Sequence, residues 1–283
     1  MPVELTHDAY GKCRVRVSKI KRPRRAPANA ERHEFIEAAV DLLLEGDFQA
    51  AYTAADNRQI VATDTCKNTI YVLAQEDPFA TIESFGLAIA AHLLRQYAQV
   101  DKAAVTLREH RWQRLFDSPH AFTGSDRETP TARITAVRDQ APVVVAGIEG
   151  LVIAKTTESG FANFHRDKYR TLEDAQDRIF ASELTAAWEY ARPDLDFSAC
   201  RETVRTALLR RFIDHYSHSV QKTLYRMGQA ALDAAPDVLS LTLTMPNKHH
   251  LLFPLERFGK TNENEVFVVT EEPFGYITGT VSR

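Results

Sequence analysis

Cysteine is scarce in this chain: Cys13, Cys66 and Cys200 are the only three among 283 residues. They are odd in number and far apart, and no C-x-x-C occurs, so neither a disulfide framework nor a zinc ribbon is expected. That usage favours a reducing compartment. No apolar run reaches the roughly 18 residues of a membrane span. The N-terminal MPVELTHDAYGK lacks the apolar core of a signal peptide, and the C-terminal TVSR is not a Ser-Lys-Leu address. Charge of one sign is also missing: the formal balance is −3, which gives no global pull toward nucleic acid or an anionic membrane. The expectation is a cytoplasmic protein with neither nucleic acid nor membrane as partner. Absent too are G-x-G-x-x-G, G-x-x-x-x-G-K-[ST], G-x-S-x-G and H-E-x-x-H, which leaves nucleotide cofactors and hydrolase triads without support.

What is present suits one large or two smaller folded domains, with 44% hydrophobic and 26% charged residues. YGKCRVRVSKI alternates apolar and polar residues and reads as a half-buried strand. The basic run after it, Lys19, Lys21, Arg22, Arg24 and Arg25, reads as a solvated hairpin loop rather than a polyanion site. HEFIEAAVDLLLEGDF closes that hairpin as a long strand. A helix starts near Thr65 and runs to about Gln75. Another covers FATIESFGLAIAAHLLRQY, with Phe85, Ile89, Leu93 and Tyr97 on one stripe. KAAVTLREHRWQRL and TARITAVRD return to strand periodicity.

The second half repeats this order. PVVVAGIEGLVIAKTTES and RIFASELTAAWEYA read as strands. FSACRETVRTALLRRFIDHYS and SVQKTLYRMGQAALDAA read as helices, and VLSLTLTMPNKHHLLFPL and EVFVVTEEPFGYITGTV as closing strands. The chain is therefore expected to be α+β, with a β-β-α-α-β-β lobe over residues 1–140 and a second over 141–283. No low-complexity linker separates them. Open sheet edges of this kind need covering, which predicts oligomerisation.

Several stretches carry polar groups with two readings each. In VATDTCKNTIY, Thr63, Asp64 or Thr65 reads as a helix cap or as chemistry. Lys12 is ordinarily a solvated strand residue, but a desolvated lysine can serve as a base. Arg178 either pairs with Asp174 or Asp177 on a strand or offers a planar fork to a flat anion. Phe161 and Phe164 follow a Ser-Gly turn and either pack or stack on a heterocycle. Ser219 reads as an N-cap, and Gln221 behind it presents a donor beside an acceptor, complementary to a purine edge. Asn247, His249 and His250 follow Pro246 on a strand, where adjacent histidines face opposite sides and cannot share an ion. His215 and His218, three apart on a helix, lack a third ligand, so no metal site is expected.

In their number and order, these stretches resemble urate oxidase (uricase), a family of the tunnelling fold. YGK, VATDT-KNT-Y, GIEGLVIAKTTESGF, RDKY-TL-DRI, SVQ-TLY-MG, PNKHH and NEVFVVTEEPFG span nearly the whole chain. The resemblance implies two tunnelling-fold lobes with antiparallel sheets, four chains closing a tunnel-shaped homotetramer, and active sites at subunit interfaces. It implies oxidation of urate by O₂ and water to 5-hydroxyisourate and hydrogen peroxide, with no metal and no organic cofactor. Arg178 would grip the purine anion, Gln221 would read the opposite edge, and Phe161 would stack on the ring. The Val220 N–H and the Leu172 side chain would complete the pocket. Lys12 and Thr63 would be the catalytic pair, with His249 as proton relay and Asn247 holding O₂ or water above the ring. Asp64 would contact the substrate through its backbone from a neighbouring chain. The amine and the hydroxyl would come from different chains. Cys13 and Cys66 would be packing residues. Another tunnelling-fold purine or pterin enzyme, some of which use zinc, and a non-catalytic purine-binding assembly protein are the alternatives.

Overall fold

The computed structural model describes residues 3–22, 32–125 and 128–283. Arg24 and Arg25 of the basic run lie outside them. Lys21 of that run pairs with Glu34 at 3.0 Å, while Lys19 donates to the carbonyls of Gln75 and Asp77. The chain forms two compact units. One holds residues 1–147 and 189–198, the other 148–188 and 199–283.

The first unit is built on two long strands, β1 (Tyr10–Lys21) and β2 (Glu34–Gly46), followed by a short helix α1 (Gln49–Thr53). Next come α2 (Thr63–Glu76) and α3 (Ile82–Gln96). The strands β3 (Val100–Glu109), β4 (Trp112–Arg114), β5 (Phe122–Gly124) and β6 (Thr129–Val137) follow. An antiparallel sheet runs β1-β2-β3-β6, and β4 and β5 make a hairpin of their own. Alternation explains its buried face: Val40, Leu42 and Leu44 of β2 point inward with Val105, Leu107 and Ile134. The helical stripe Phe85, Ile89 and Leu93 is wholly buried, and α3 packs on β3 and β6. Each such side chain contributes about 1.5–3 kcal/mol relative to exposure. The α1 helix and β5 were not expected from the sequence, their runs being too short for periodicity to register, and the strand expected over KAAVTLREHRWQRL is two, β3 and β4, parted at His110-Arg111.

The second unit contains most of β7 (Val143–Lys155) and of β8 (Phe180–Tyr190). It continues through α4 (Phe197–Ile213), α5 (Val220–Ala234), β9 (Val238–Thr244) and β10 (Asn247–Leu252). A 3-10 turn, Leu255–Phe258, precedes β11 (Phe267–Thr270) and β12 (Thr278–Ser282). β8 neighbours β7, β9 and β10; β11 pairs with β10 and β12 with β9. Helix α5 lies on β9 and β12 and buries Leu224, Met227 and Ala231.

Each expected closing strand is in fact two. VLSLTLTMPNKHHLLFPL breaks at Met245-Pro246, because proline lacks the N–H that a central strand needs. The chain then switches partners, from β12 on β9 to Ser182 of β8 at Asn247. The split of EVFVVTEEPFGYITGTV into β11 and β12 follows from the same switch.

Candidate functional site

Lys12 stands beside a bulge. The β1–β2 register slips between Lys12 and Val15, Arg14 takes a left-handed φ of 55°, and its N–H bonds Asp41 Oδ1 at 2.5 Å. Bulges re-aim side chains at strand ends. The glycine before it is dictated by space, since a Cβ on Gly11 would lie 1.8 Å from the Leu42 carbonyl oxygen.

The Thr63-Asp64 turn opens α2, but the expected side-chain cap is absent. The N-cap is Ala62, with no side-chain cap hydrogen bond. Asp64 is instead held by its own helix: Lys67 donates at 2.5 Å and Asn68 at 2.9 Å. The Lys67 hydrogen bond draws the Asp64 carboxyl below the usual range. Its side chain is thus occupied within the helix. The turn is anchored from β1, where the Tyr10 hydroxyl accepts the Val61 N–H at 2.7 Å. Burial pushes the Tyr10 phenol up to about 12, so it remains a neutral O–H at physiological pH. Lys12 also belongs to this cluster: its positive charge reaches both Asp64 and Cys66. The amine of Lys12 and the turn that carries the Thr63 hydroxyl are therefore neighbours within the chain. The packing role holds for Cys66, which is buried, and fails for Cys13, which is exposed.

The second unit carries the other expected residues. Arg178 lies just ahead of β8 and not on it. Its N–H is fixed by the Ser159 carbonyl at 2.8 Å. Neither expected carboxylate partners its side chain: Asp174 is taken by Arg170 at 2.7 Å, and Asp177 by the Thr157 hydroxyl at 3.0 Å. The Arg178 Nε is buried without a hydrogen-bond partner, and desolvation lowers the guanidinium from its ordinary value. A buried donor left open costs free energy, and here an anion is what would satisfy it. The guanidinium carbon sits 5.4 Å from the Phe161 ring centroid. Phe164 stacks on Phe161 with centroids 4.6 Å apart and planes within 8°. Such a pair contributes about 0.5–1.5 kcal/mol.

The Phe161 segment is tied down on both sides. Phe161 and Ala175 exchange hydrogen bonds of 2.7 and 2.9 Å, and Gly160 N–H reaches the Ser217 carbonyl at 2.8 Å. A Cβ at Gly160 would meet the Tyr216 hydroxyl at 2.3 Å and the Ala175 carbonyl oxygen at 2.8 Å. Gly160→Ala is therefore expected to lower stability by about 1–3 kcal/mol, read as a fall in Tm, and to tilt the Phe161 plate.

Ser219 caps α5 as expected, accepting from Lys222 N–H at 3.1 Å. Val220 and Gln221 form the first turn behind it, with Val220 buried and Gln221 exposed. Free N–H groups and the positive dipole end at that turn favour an anion. Leu172 is 57% exposed on the loop before Arg178. On β10, Asn247 is buried and its Nδ2 is 3.1 Å from His249 Nδ1; His250 faces the other way, into a cavity of about 480 Å³ bordered by Arg178, Asn264, Glu265 and Phe267.

His215 and His218 are not helical, because α4 ends at Ile213. Among the described residues, no group of three or more His, Cys, Asp or Glu could hold a metal ion, and no helix is long and apolar enough to cross a membrane.

Sequence reading missed several supports. Arg170 lies 4.1 Å over Phe164 and donates to the Leu172 carbonyl at 2.8 Å, holding plate and loop together; its i,i+4 spacing to Asp174 was the available signal. Tyr10 and Gly160 sat inside quoted stretches without being singled out.

A sequence model of the uricase family matches residues 8–135 and 144–278. The chain is 40% identical over 281 residues to the uricase of Arthrobacter globiformis, covering 99% of this chain and 90% of that protein. It is 39% identical over 286 residues to the uricase of Dictyostelium discoideum, at 99% and 97% coverage. The crystal structure of the Arthrobacter globiformis uricase superposes with a TM-score of 0.95 at 39% identity, over 100% of this chain and 96% of that chain.

Proposed function

The chain belongs to the uricase family, and from that premise we propose that it oxidises urate with O₂ and water to 5-hydroxyisourate and hydrogen peroxide, using no metal and no organic cofactor. Two electrons pass from the purine to O₂, and one water oxygen is gained at C5, so atoms and electrons balance. The observation that carries this reading is Arg178: a desolvated guanidinium with an open Nε, beside an aromatic plate, in the same unit as the N-terminal turn of α5. Urate is flat and anionic, and this combination complements both properties.

The division of labour follows from the chemistry. Triplet O₂ does not react with a closed-shell molecule in one two-electron step, but an electron-rich purine dianion can give up one electron first. The protein must hold the ring flat, take its proton and keep O₂ over it. Phe161, Leu172, Val220 and Gln221 do the first, with Arg178 balancing the charge. Positioning of this kind can contribute about 7–11 kcal/mol. Lys12, Thr63 and His249 move the proton, a task typically worth about 10²- to 10⁴-fold. Asn247, already turned toward His249, holds O₂ or the water that replaces it.

The first unit holds Lys12, Thr63 and Asp64 and the second holds the ring-binding groups. We assign them to two copies in a homotetramer, with each lobe, 1–140 and 141–283, as one tunnelling-fold repeat. Support comes from β1, which among the described residues ends its sheet with an unpaired edge. Three free cysteines suit a cytoplasmic setting.

The test is direct. Chelator-treated protein is expected to consume urate and O₂ one to one and to release peroxide, followed by urate absorbance, an oxygen electrode and a peroxide assay. Activity lost on chelation and restored by zinc would favour pterin-type chemistry instead. Urate binding without O₂ uptake would indicate a non-catalytic purine binder.

A further inference from the structure

Helices α4 and α5 are joined by a loop whose buried polar groups the reaction does not use. His215 Nδ1 is 2.6 Å from the Arg211 carbonyl, which can only accept, so Nδ1 carries the proton. In the neutral ring Nε2 is then an acceptor, 3.1 Å from Thr223 Oγ1. Thr223 has one hydroxyl proton and gives it to His215. Its oxygen accepts in turn from the Ser217 hydroxyl at 2.6 Å. Thr223 and Ser217 are both fully buried. Lys155 fixes the base of the chain, donating to the His215 carbonyl at 2.6 Å.

We propose that His215 is a positioning residue for purine binding, acting through Thr223 and Ser217 to set the Phe161 plate against the N-terminal turn of α5. Ser217 is the junction. Its carbonyl accepts from Gly160, next to Phe161, and its N–H donates to Glu158, both at 2.8 Å. Thr223 completes the other side, because its N–H bonds the Ser219 carbonyl at 3.1 Å and closes the turn that carries Val220 and Gln221. One imidazole therefore fixes two pocket walls by giving a four-group chain a single direction.

Protonation of His215 reverses that direction. Nε2 becomes a donor, Thr223 must turn to Ser217, and Ser217 must turn to the Ser219 carbonyl, 3.3 Å away, which already serves the Thr223 N–H. Burial is the dominant effect and holds the imidazole below its ordinary value of 6.5; the hydrogen bond to the Arg211 carbonyl works against it, while the charges of Lys155 from β7, Arg226 from α5 and Arg211 from α4 add to the depression. The sign is fixed by that depression. The unfolded chain binds the proton more readily, so the stability that this network contributes is present above 6.5 and is lost as pH falls through the folded-state value.

The proposal rests on Phe161, Val220 and Gln221 being ring-binding groups, so the experiment includes Gln221→Ala. Urate is titrated anaerobically, where it binds without turnover, and KM and kcat are measured in air. Thr223→Val, which keeps the shape and removes the hydroxyl, is expected to raise Kd and KM on the order of tenfold, the scale of one misaligned hydrogen bond. In the same variant kcat stays within about twofold of the original. Thr223→Ser restores binding. The part of the acid-side loss of affinity that belongs to His215 disappears in both Thr223→Val and His215→Gln, while the part due to urate's own ionisation stays. Wild-type affinity in Thr223→Val and His215→Gln, or equal falls in kcat and kcat/KM that Ser does not rescue, would overturn the inference. If Gln221→Ala binds urate unchanged, it is the pocket reading that fails; should Thr223→Val not fold, His215→Gln carries the same readouts.

Discussion

Arg178→Ala is expected to weaken anaerobic urate binding by about 2–5 kcal/mol, the cost of removing one partner from a desolvated charge pair, or roughly 30- to 4,000-fold in Kd. Arg178→Lys should recover only part of this, since an ammonium keeps the charge and loses the planar fork. The same change should leave Tm unchanged or slightly raised. In the free protein the guanidinium is desolvated with an open Nε, so it burdens the fold and adds no ion pair to it. Opposite signs for binding and stability separate a ligand-gripping arginine from a structural one. A Tm loss with unchanged Kd would mean that Arg178 holds the loop ahead of β8 and not the substrate.

That loop marks where sequence reading stopped being sufficient. Alternation in YGKCRVRVSKI and the stripe Phe85, Ile89, Leu93 translated directly into β1 and α3, because local period and burial agree there. Arg178 read as a strand residue because Ile179 and Phe180 follow it. Its backbone is instead captured by Ser159, a partner 19 positions away and invisible to a local window. His215 read as helical because the apolar run continues to Phe212 and Ile213. Helix α4 stops there with its last carbonyls satisfied from elsewhere: Arg211 by the His215 ring, Phe212 by Lys155 of β7 at 3.3 Å. Non-local caps of this sort satisfy orphan groups without leaving a sequence signature.

The candidate site divides along the same line. Residues inside dense motifs, such as Lys12, Thr63, Gln221 and Asn247, could be named from resemblance alone. Their supports could not, because they act through tertiary hydrogen bonds. Tyr10 reaches Val61 across 51 positions, and Lys155 reaches His215 across 60. The cap reading of Thr63 failed for a simple reason: the chain enters α2 one residue earlier, at Ala62, which leaves the threonine inside the first turn.

Mixing inactive variants should give the largest effect of all. Lys12→Met is expected to cut kcat by about 10²- to 10⁴-fold through loss of the base, and Arg178→Ala to leave binding too weak for turnover at ordinary urate. Each alone is nearly silent. If every site takes Lys12 from one copy and Arg178 from another, random co-assembly from a denatured or co-expressed mixture makes about one site in four intact, by the symmetry of a closed homo-oligomer. Activity then rises from the background of either parent to roughly a quarter of wild type, with wild-type KM. A second mixture locates the catalytic pair. Lys12 and the Thr63 turn are neighbours in one chain, so Lys12→Met and Thr63→Ala damage the same half-site. A mixture of those two should stay inactive, since no combination of copies brings an intact amine and an intact hydroxyl together. Rescue of Lys12→Met by Thr63→Ala would place the amine and the hydroxyl on different copies, and no rescue by Arg178→Ala would put the whole site within one.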